Sequence, residues 1–438
     1  MAAPNMLQAP VSASLPTSQR WWVLAVMTMV NIVNTVVLLG PAPLIGDMAA
    51  TFGLSLGQTT ALAMGVINFF IAVSALLGGW LLDRVGAAVI WVAGMLAAGI
   101  SLCLVGPFGA DPHVFALLRF AQGCAAGPIM AAPMVIVAQW FAPHQRSTIV
   151  GTQAATVPVG AALAFLVVPW LNQHTGSWQQ ALTVVGMAPI AVGLLATSVL
   201  ARVKSRQREA IGERPVSAHE PADFRAVLRM PATWVAAVCV FCLSWLLQAF
   251  NDLTPAYLSL AEPVGAGLGQ ARAGAMMALT QISFLVGSLS AGVLAQRLFR
   301  GRARPTVLLG FAVAMLMAVS LRSPSITHDA LLLPACLLLM GFAMSLVNPQ
   351  VFGFLANHYP PHVAGKVSGL VMGFGIFGGT SGVLVGSWVL HSAGAYEGCL
   401  LVIAAAAALG CLVATRLGPP GPEPRPPPPE ALRAGAKL

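Results

Sequence analysis

Charge is what this sequence has least of. Asp, Glu, Lys and Arg make up 8% of its 438 residues, against roughly 25% in soluble domains. That excludes an ordinary water-soluble domain. The signatures of catalysis and nucleotide use are also missing: no H-E-x-x-H, no histidine cluster, no G-x-S-x-G at membrane depth and no G-x-x-x-x-G-K-[ST]. A membrane enzyme is therefore not expected, and any uphill work must draw on gradients. The first 19 residues hold no basic segment, and the apolar run that follows is too long for a signal peptide, so no cleaved signal is expected. The seven cysteines are scattered through apolar stretches. Cys239 and Cys242 form a C-x-x-C, but no second Cys/His pair completes a metal site, and they read as packing residues. No cofactor is expected.

Hydrophobic residues, at 58%, are what the chain has in excess. They fall in stretches of about 20 or more, long enough to cross a hydrocarbon core of about 30 Å. Twelve spans are expected, near 21–43, 58–82, 88–107, 114–140, 147–170, 178–201, 232–258, 271–295, 305–321, 330–356, 364–390 and 396–416. The fold class is all-α membrane protein. Gly and Pro inside the spans fit bilayer helices, where neighbouring helices satisfy the freed backbone groups.

The few charges are sorted by side. Nineteen of the 22 basic residues fall at one end of a twelve-span bundle, the basic end. Arg272 and Arg322 fall at the other, and Arg119 lies inside the fourth span. Asp47, Asp111, Glu262, Asp329 and Glu397 mark that other, acidic end. The positive-inside rule then makes the basic end, with both termini, cytoplasmic. The net charge of +9 is accordingly a topology signal with some attraction to membrane lipids, not a nucleic-acid footprint.

The chain repeats itself. Pro41, Ala42 and Leu44 match Pro255, Ala256 and Leu258 at an offset of 214, as do Gly78 with Gly292 and Gly127 with Gly341. At an offset of 218, Pro143-His144 matches Pro361-His362, Gly151 matches Gly369, Gly160 matches Gly378, Trp170 matches Trp388 and Gly176 matches Gly394. Two parallel halves point to a rocking transporter with its site between them. The expected organisation is a disordered segment over 1–19, six-helix bundles over 20–201 and 232–416, a charged cytoplasmic linker over 202–231, and a proline-rich disordered tail over 417–438.

Polar residues concentrate in eight of the spans. Spans three, six, nine and twelve carry no charge and no amide deep inside, so two thirds of the helices line something wet. Near the second span, Gly79-Trp-Leu-Leu-Asp83-Arg84-Val-Gly86 resembles the G-x-x-x-D-R-x-G loop of the major facilitator superfamily. The basic pair that usually follows is replaced by Ala87-Ala88. Arg119-x-x-x-Gly123 resembles that family's fourth-helix motif. The resemblance covers nearly the whole chain. It implies two pseudo-symmetric six-helix bundles, peripheral helices 3, 6, 9 and 12, alternating access and a monomer in a bacterial inner membrane. Asp83 is expected to act with Gly79, Arg84 and Gly86 as a gating loop. The fifth span lacks the G-P-x-x-G-G pattern of proton-driven drug exporters. The Gly-rich stretch Gly373–Gly382 is loosely similar to nitrate/nitrite porters, but the Arg residues those carry in the second and eighth spans are absent. The stretch from Pro169 to His174, followed by Trp178, is similar to cyanate and nitroimidazole permeases.

Arg119 is the sharpest single residue. An Arg at a helix centre costs about 2.5–3.5 kcal/mol on insertion scales, so it must face the interior. It holds a substrate anion, tunes the proton affinity of a carboxylate, or bonds backbone carbonyls of the first helix. Asp252 is the carboxylate well inside the spans. It is a coupling site for a proton or other ion, a binding site for an amine, or a cap on a helix break at Pro255. Asn31, Asn34, Asn68, Gln122, Gln153, Gln248, Asn251, Gln281 and Asn348 complete the candidate cavity. Amides both donate and accept, which suits a small polar solute. The expected activity is secondary transport of an organic anion or zwitterionic metabolite. Proton-coupled drug efflux is the alternative. Reporter fusions at Gly212 and at the C-terminus should both report cytoplasm, and a periplasmic result at either would refute the twelve-span topology.

Overall fold

The computed structural model describes residues 17–141, 143–207, 228–359 and 361–418. The expected linker core and proline-rich tail, and the side chains of Gly79 and Asp83, lie outside the described residues. Among the described residues all regular structure is helical. Eleven helices are long and apolar enough to cross a membrane. The helix Pro112–Trp140, 29 residues long, stands where the fourth span is expected and is not one of those eleven. The sixth-span helix, Trp178–Gln207, runs beyond its expected end at residue 201.

Several spans are interrupted, and the sequence says why. The first runs Thr17–Leu39, breaks at Gly40-Pro41 and resumes as Ile45–Phe52. Pro41 has no N–H to offer the carbonyl four residues back, which is that of Val37. The second span begins as Leu56–Thr60, passes through a π turn at Ala61–Gly65 and continues as Val66–Val85. The second half keeps the proline but not the break. Helix Pro231–Ser259 passes through Pro255 without interruption. Asp252 therefore caps nothing; it sits fully buried within a continuous helix.

The repeat has structural work to do. Pro143 and Pro361 open the fifth and eleventh spans. Gly176 and Gly394 close them in the left-handed conformation, with φ of 69° and 71°, which suits a residue without a Cβ. Asp111 and Asp329, also 218 apart, cap the fourth and tenth spans. Asp111 accepts from the amides of His113 and Val114 at 2.7 and 3.1 Å, and Asp329 from Leu331 and Leu332, both at 2.8 Å. These donors hold both carboxyls below the usual range. Gly127 and Gly341 let the fourth and tenth spans touch the second and eighth: a Cβ would strike Ser74 in one half and the Thr280 carbonyl in the other. The third span packs on the sixth and the ninth on the twelfth, at the flanks.

The halves meet at the acidic end and in the centre. Asp47 Oδ2 accepts from Asn172 Nδ2 at 2.7 Å and from Gln270 Nε2 at 2.8 Å. Asn172 also donates to Gln270 Oε1 at 2.8 Å. Ser55 Oγ lies 2.8 Å from His391 Nδ1. Deeper in, Thr380 Oγ1 donates to the Asn68 carbonyl at 3.1 Å. Among the described residues the hydrogen bonds between halves all lie in this region or at the centre. Toward the basic end, a Cβ added at Gly151 or at its repeat Gly369 would meet nothing within 4 Å. Among the described residues the halves are thus held together by hydrogen bonds at the acidic end and at the centre.

Contact at the acidic end depends on close backbone approach. A Cβ at Gly274 of the eighth span would run into the Phe165 carbonyl of the fifth. Gly274→Leu should hold this end apart. Spin labels at the exposed positions Leu166 and Ile282 should then show a longer-distance population absent without the substitution. An unchanged distribution would show that this contact does not set closure.

Candidate binding site between the halves

Arg119 is fully buried, and its environment follows from the two interruptions. Nε donates to the Ala63 carbonyl at 2.5 Å, inside the π turn. Nη1 donates to the Val37 carbonyl at 3.1 Å, the group that Pro41 leaves without a helical partner, and to Gln122 Oε1 at 2.8 Å. Nη2 donates to the Leu38 carbonyl at 3.1 Å and faces Met64 Sδ at 3.8 Å. A guanidinium has five N–H donors, and here all five are taken. Arg119 thus bonds carbonyls of the first helix, together with one from the second span. Its charge remains, but its donors are spent.

Asp252 is the other buried charged side chain among the described residues. Asn68 Nδ2 of the opposite half donates to Oδ2 at 3.0 Å. Gln248 Nε2, one turn earlier, lies 3.1 Å from both carboxylate oxygens. Asn68 Nδ2 also donates to the Met64 carbonyl at 2.8 Å, so one amide ties the π turn to the seventh span. Arg119 and Asp252 act on each other electrostatically, and they form no ion-pair contact among the described residues.

Seven of the nine candidate amides fall into three groups. Asn68, Gln122 and Gln248 join the charged centre. Asn31 Nδ2 donates to Gln153 Oε1 at 2.9 Å, and Gln153 Nε2 donates to Thr28 at 3.0 Å, linking the first and fifth spans of one half. Gln281 Nε2 donates to Asn251 Oδ1 at 2.8 Å, linking the seventh and eighth spans of the other. Asn34 Oδ1, Asn348 Oδ1 and Gln122 Nε2 are buried with no partner among the described residues. Such groups are few in folded proteins and mark places where water or a ligand belongs. The segment expected to form a gating loop is not a loop: residues 79 to 84 belong to the helix Val66–Val85, which ends only at Gly86, with φ 80°, and Arg84 is exposed with its guanidinium 4.1 Å from the Trp80 ring centroid. The acidic-end cluster of Asp47, Asn172 and Gln270, and the Ser55–His391 pair, escaped the sequence reading. Polar residues at helix ends look like ordinary solvated ends until the other half is in place.

The family described as the Major Facilitator Superfamily matches residues 24–379 and 328–438. The chain belongs to the Major Facilitator Superfamily. Among its relatives in that superfamily, a probable sulfoacetate transporter of Cupriavidus necator is 24% identical over 416 residues, covering 91% of this chain and 93% of the relative. A gallate transporter of Pseudomonas putida is 25% identical over 343 residues, covering 73% and 74%. A solved bacterial homologue of the human lysosomal transporter Spinster, in an inward-facing and unoccupied conformation, superposes with a TM-score of 0.70 at 15% identity, covering 92% of this chain and 95% of that one. The chain is therefore a multi-pass membrane transporter and not an enzyme.

Removing the Arg119 guanidinium takes a donor from three carbonyls, of which that of Val37 has lost its helical one to Pro41, at about 1–3 kcal/mol for each group left unsatisfied. Arg119→Gln should lower the melting temperature of the purified protein sharply. Arg119→Lys should rescue little, because one ammonium cannot span acceptors on two helices. Near-normal melting of both variants would show that the carbonyls find other partners.

Proposed function

We propose that this chain is a secondary active transporter that carries a small organic anion across the bacterial inner membrane, coupled to protons through Asp252. The observation that supports this is the pairing of one buried cation whose donors are all used with one buried carboxylate held by an amide of the opposite half. With Asp252 ionised, the two charges offset each other. A proton on Asp252 leaves the charge of Arg119 uncompensated in a medium where electrostatic attraction is strong. An anion entering beside it restores neutrality. Proton and anion therefore favour each other's binding, and such a coupling is reciprocal.

The anion does not need the guanidinium itself. Gln122 Nε2 has no partner and belongs to a side chain that already touches Arg119. It offers a neutral N–H inside the field of the cation. Sulfoacetate and gallate, the solutes named for the two relatives, are small organic anions and support this choice of substrate class.

The basic end is the cytoplasmic one in this proposal, from the charge asymmetry, and the hydrogen bonds between the halves lie at the opposite end and at the centre. Exchange to the other state must break the Asp47, Asn172 and Gln270 cluster. Charge-assisted hydrogen bonds of this kind contribute about 1.5–3 kcal/mol each. A contact present in one state only is what biases such an equilibrium. The chain acts as a monomer in this reading.

Counterflow of a labelled carboxylate or sulfonate in proteoliposomes tests the proposal. A panel of small organic anions should compete. Asp252→Asn should retain counterflow while losing accumulation driven by a pH gradient. Competition by lipophilic cations alone, abolished in Asp252→Asn, would replace the anion reading with drug efflux.

A further inference from the structure

A second cavity lies away from the interface between the halves. It has a volume of about 690 Å³ and sits at the basic end of the second half, between the ninth and tenth spans and the end of the twelfth. Its size falls in the range of about 300–1,000 Å³ typical of small-molecule sites. Arg302, Arg304, Asn357 and His358 supply its polar wall, and Leu308 and Phe354 its apolar wall.

The polar wall is built for negative charge. Arg302 is the N-cap of helix Ala303–Ser320, so the first amides of an 18-residue helix open beside it without intrahelical partners. Among the described residues neither Arg302 nor Arg304 has an ion pair or side-chain hydrogen bond. Among the described side chains the carboxylates lie at the acidic end or at the centre. His358 is fixed by its Nδ1, 2.9 Å from the Phe354 carbonyl, with its ring stacked on Phe354 at 4.4 Å.

The apolar wall places the cavity at the membrane boundary. The ninth and twelfth spans are flank helices, and Leu308 sits on the ninth, less than two turns from its start. Cys411 of the twelfth span reaches the Leu308 carbonyl at 3.7 Å, so the two helices close the cavity from the side. Basic residues grouped at the end of a membrane span, over an apolar slot, suit a phosphate that carries acyl chains.

We propose that this cavity binds a phosphate-bearing anion, seated between Arg302 and Arg304. An anionic phospholipid would present that group from the leaflet, and a soluble phosphate from the aqueous side. The site is distinct from the one between the halves and stands whatever solute that one carries.

Delipidated protein in detergent, titrated with phosphatidylglycerol or phosphatidylcholine and followed by native mass spectrometry, tests this. Wild type should hold one phosphatidylglycerol in preference to phosphatidylcholine. The double variant Arg302→Gln/Arg304→Gln should lose affinity by about 30-fold, from two basic contacts of about 1 kcal/mol each. Arg297→Gln, at the same end but outside the cavity, should not. Gly353 also lines the cavity, and a Cβ there meets nothing within 4 Å. Gly353→Leu should fill the space and displace the lipid with both charges kept, which separates a cavity from diffuse attraction. A parallel thermal-shift titration with inorganic phosphate identifies the source. Stabilisation by phosphate alone, lost in the double variant, assigns a soluble anion. Equal retention of both lipids, or retention unchanged in both the double variant and Gly353→Leu, together with no response to phosphate, overturns the proposal.

Discussion

Three main-chain carbonyls deep in the first bundle share one side-chain donor. Val37 loses its helical donor to Pro41, Leu38 stands in the last turn of its helix, and Ala63 lies in a π turn. Lipid offers no water to satisfy such groups, and an irregular backbone survives at that depth only where protein satisfies it. Arg119 reaches all three. The interruptions and the arginine therefore explain each other. Without Arg119 the broken spans would be costly, and without the breaks its donors would have few acceptors.

That arrangement sets the electrostatics of the centre. A cation whose N–H groups are fully used still projects its charge, and Asp252 is the buried carboxylate that answers it. Asp252 belongs to the other half and is held by Asn68 from this one. The charged pair thus spans the plane along which the halves must move. Occupancy of the centre and the relative position of the halves are consequently tied, which is what a carrier needs and what two separately neutral bundles would not provide.

The two halves are alike where backbone geometry governs and unlike where chemistry does. The repeat retains its helix-opening prolines, its left-handed closing glycines, its capping aspartates and the glycines at helix crossings. It does not retain Arg119: at the offset of 214 the second half has Leu333, a buried core residue. Nor does it retain the break, since Gly40 has no counterpart before Pro255 and the seventh span stays whole. One half carries the fixed cation beside the broken first span. The other carries the carboxylate on an uninterrupted helix.

Much of the fold was legible from sequence. Apolar length placed the spans, because about 20 residues must cross about 30 Å. The sorting of basic residues to one end, and of polar residues to eight of twelve spans, followed from the cost of charge in lipid. The repeat marked the halves. Asn68, Arg119, Gln122, Gln248 and Asp252 could be named as cavity candidates by the same cost. What they do to one another could not. Whether Arg119 faces a solute or a carbonyl depends on where Pro41 and the π turn place free acceptors on two other helices. Whether Asp252 caps a break depends on whether the helix continues past Pro255. The cluster of Asp47, Asn172 and Gln270 spans 223 residues of chain, and no local pattern encodes a contact at that range. Sequence determined which groups could not be left in lipid; only the packing of the helices decided which partner each would have.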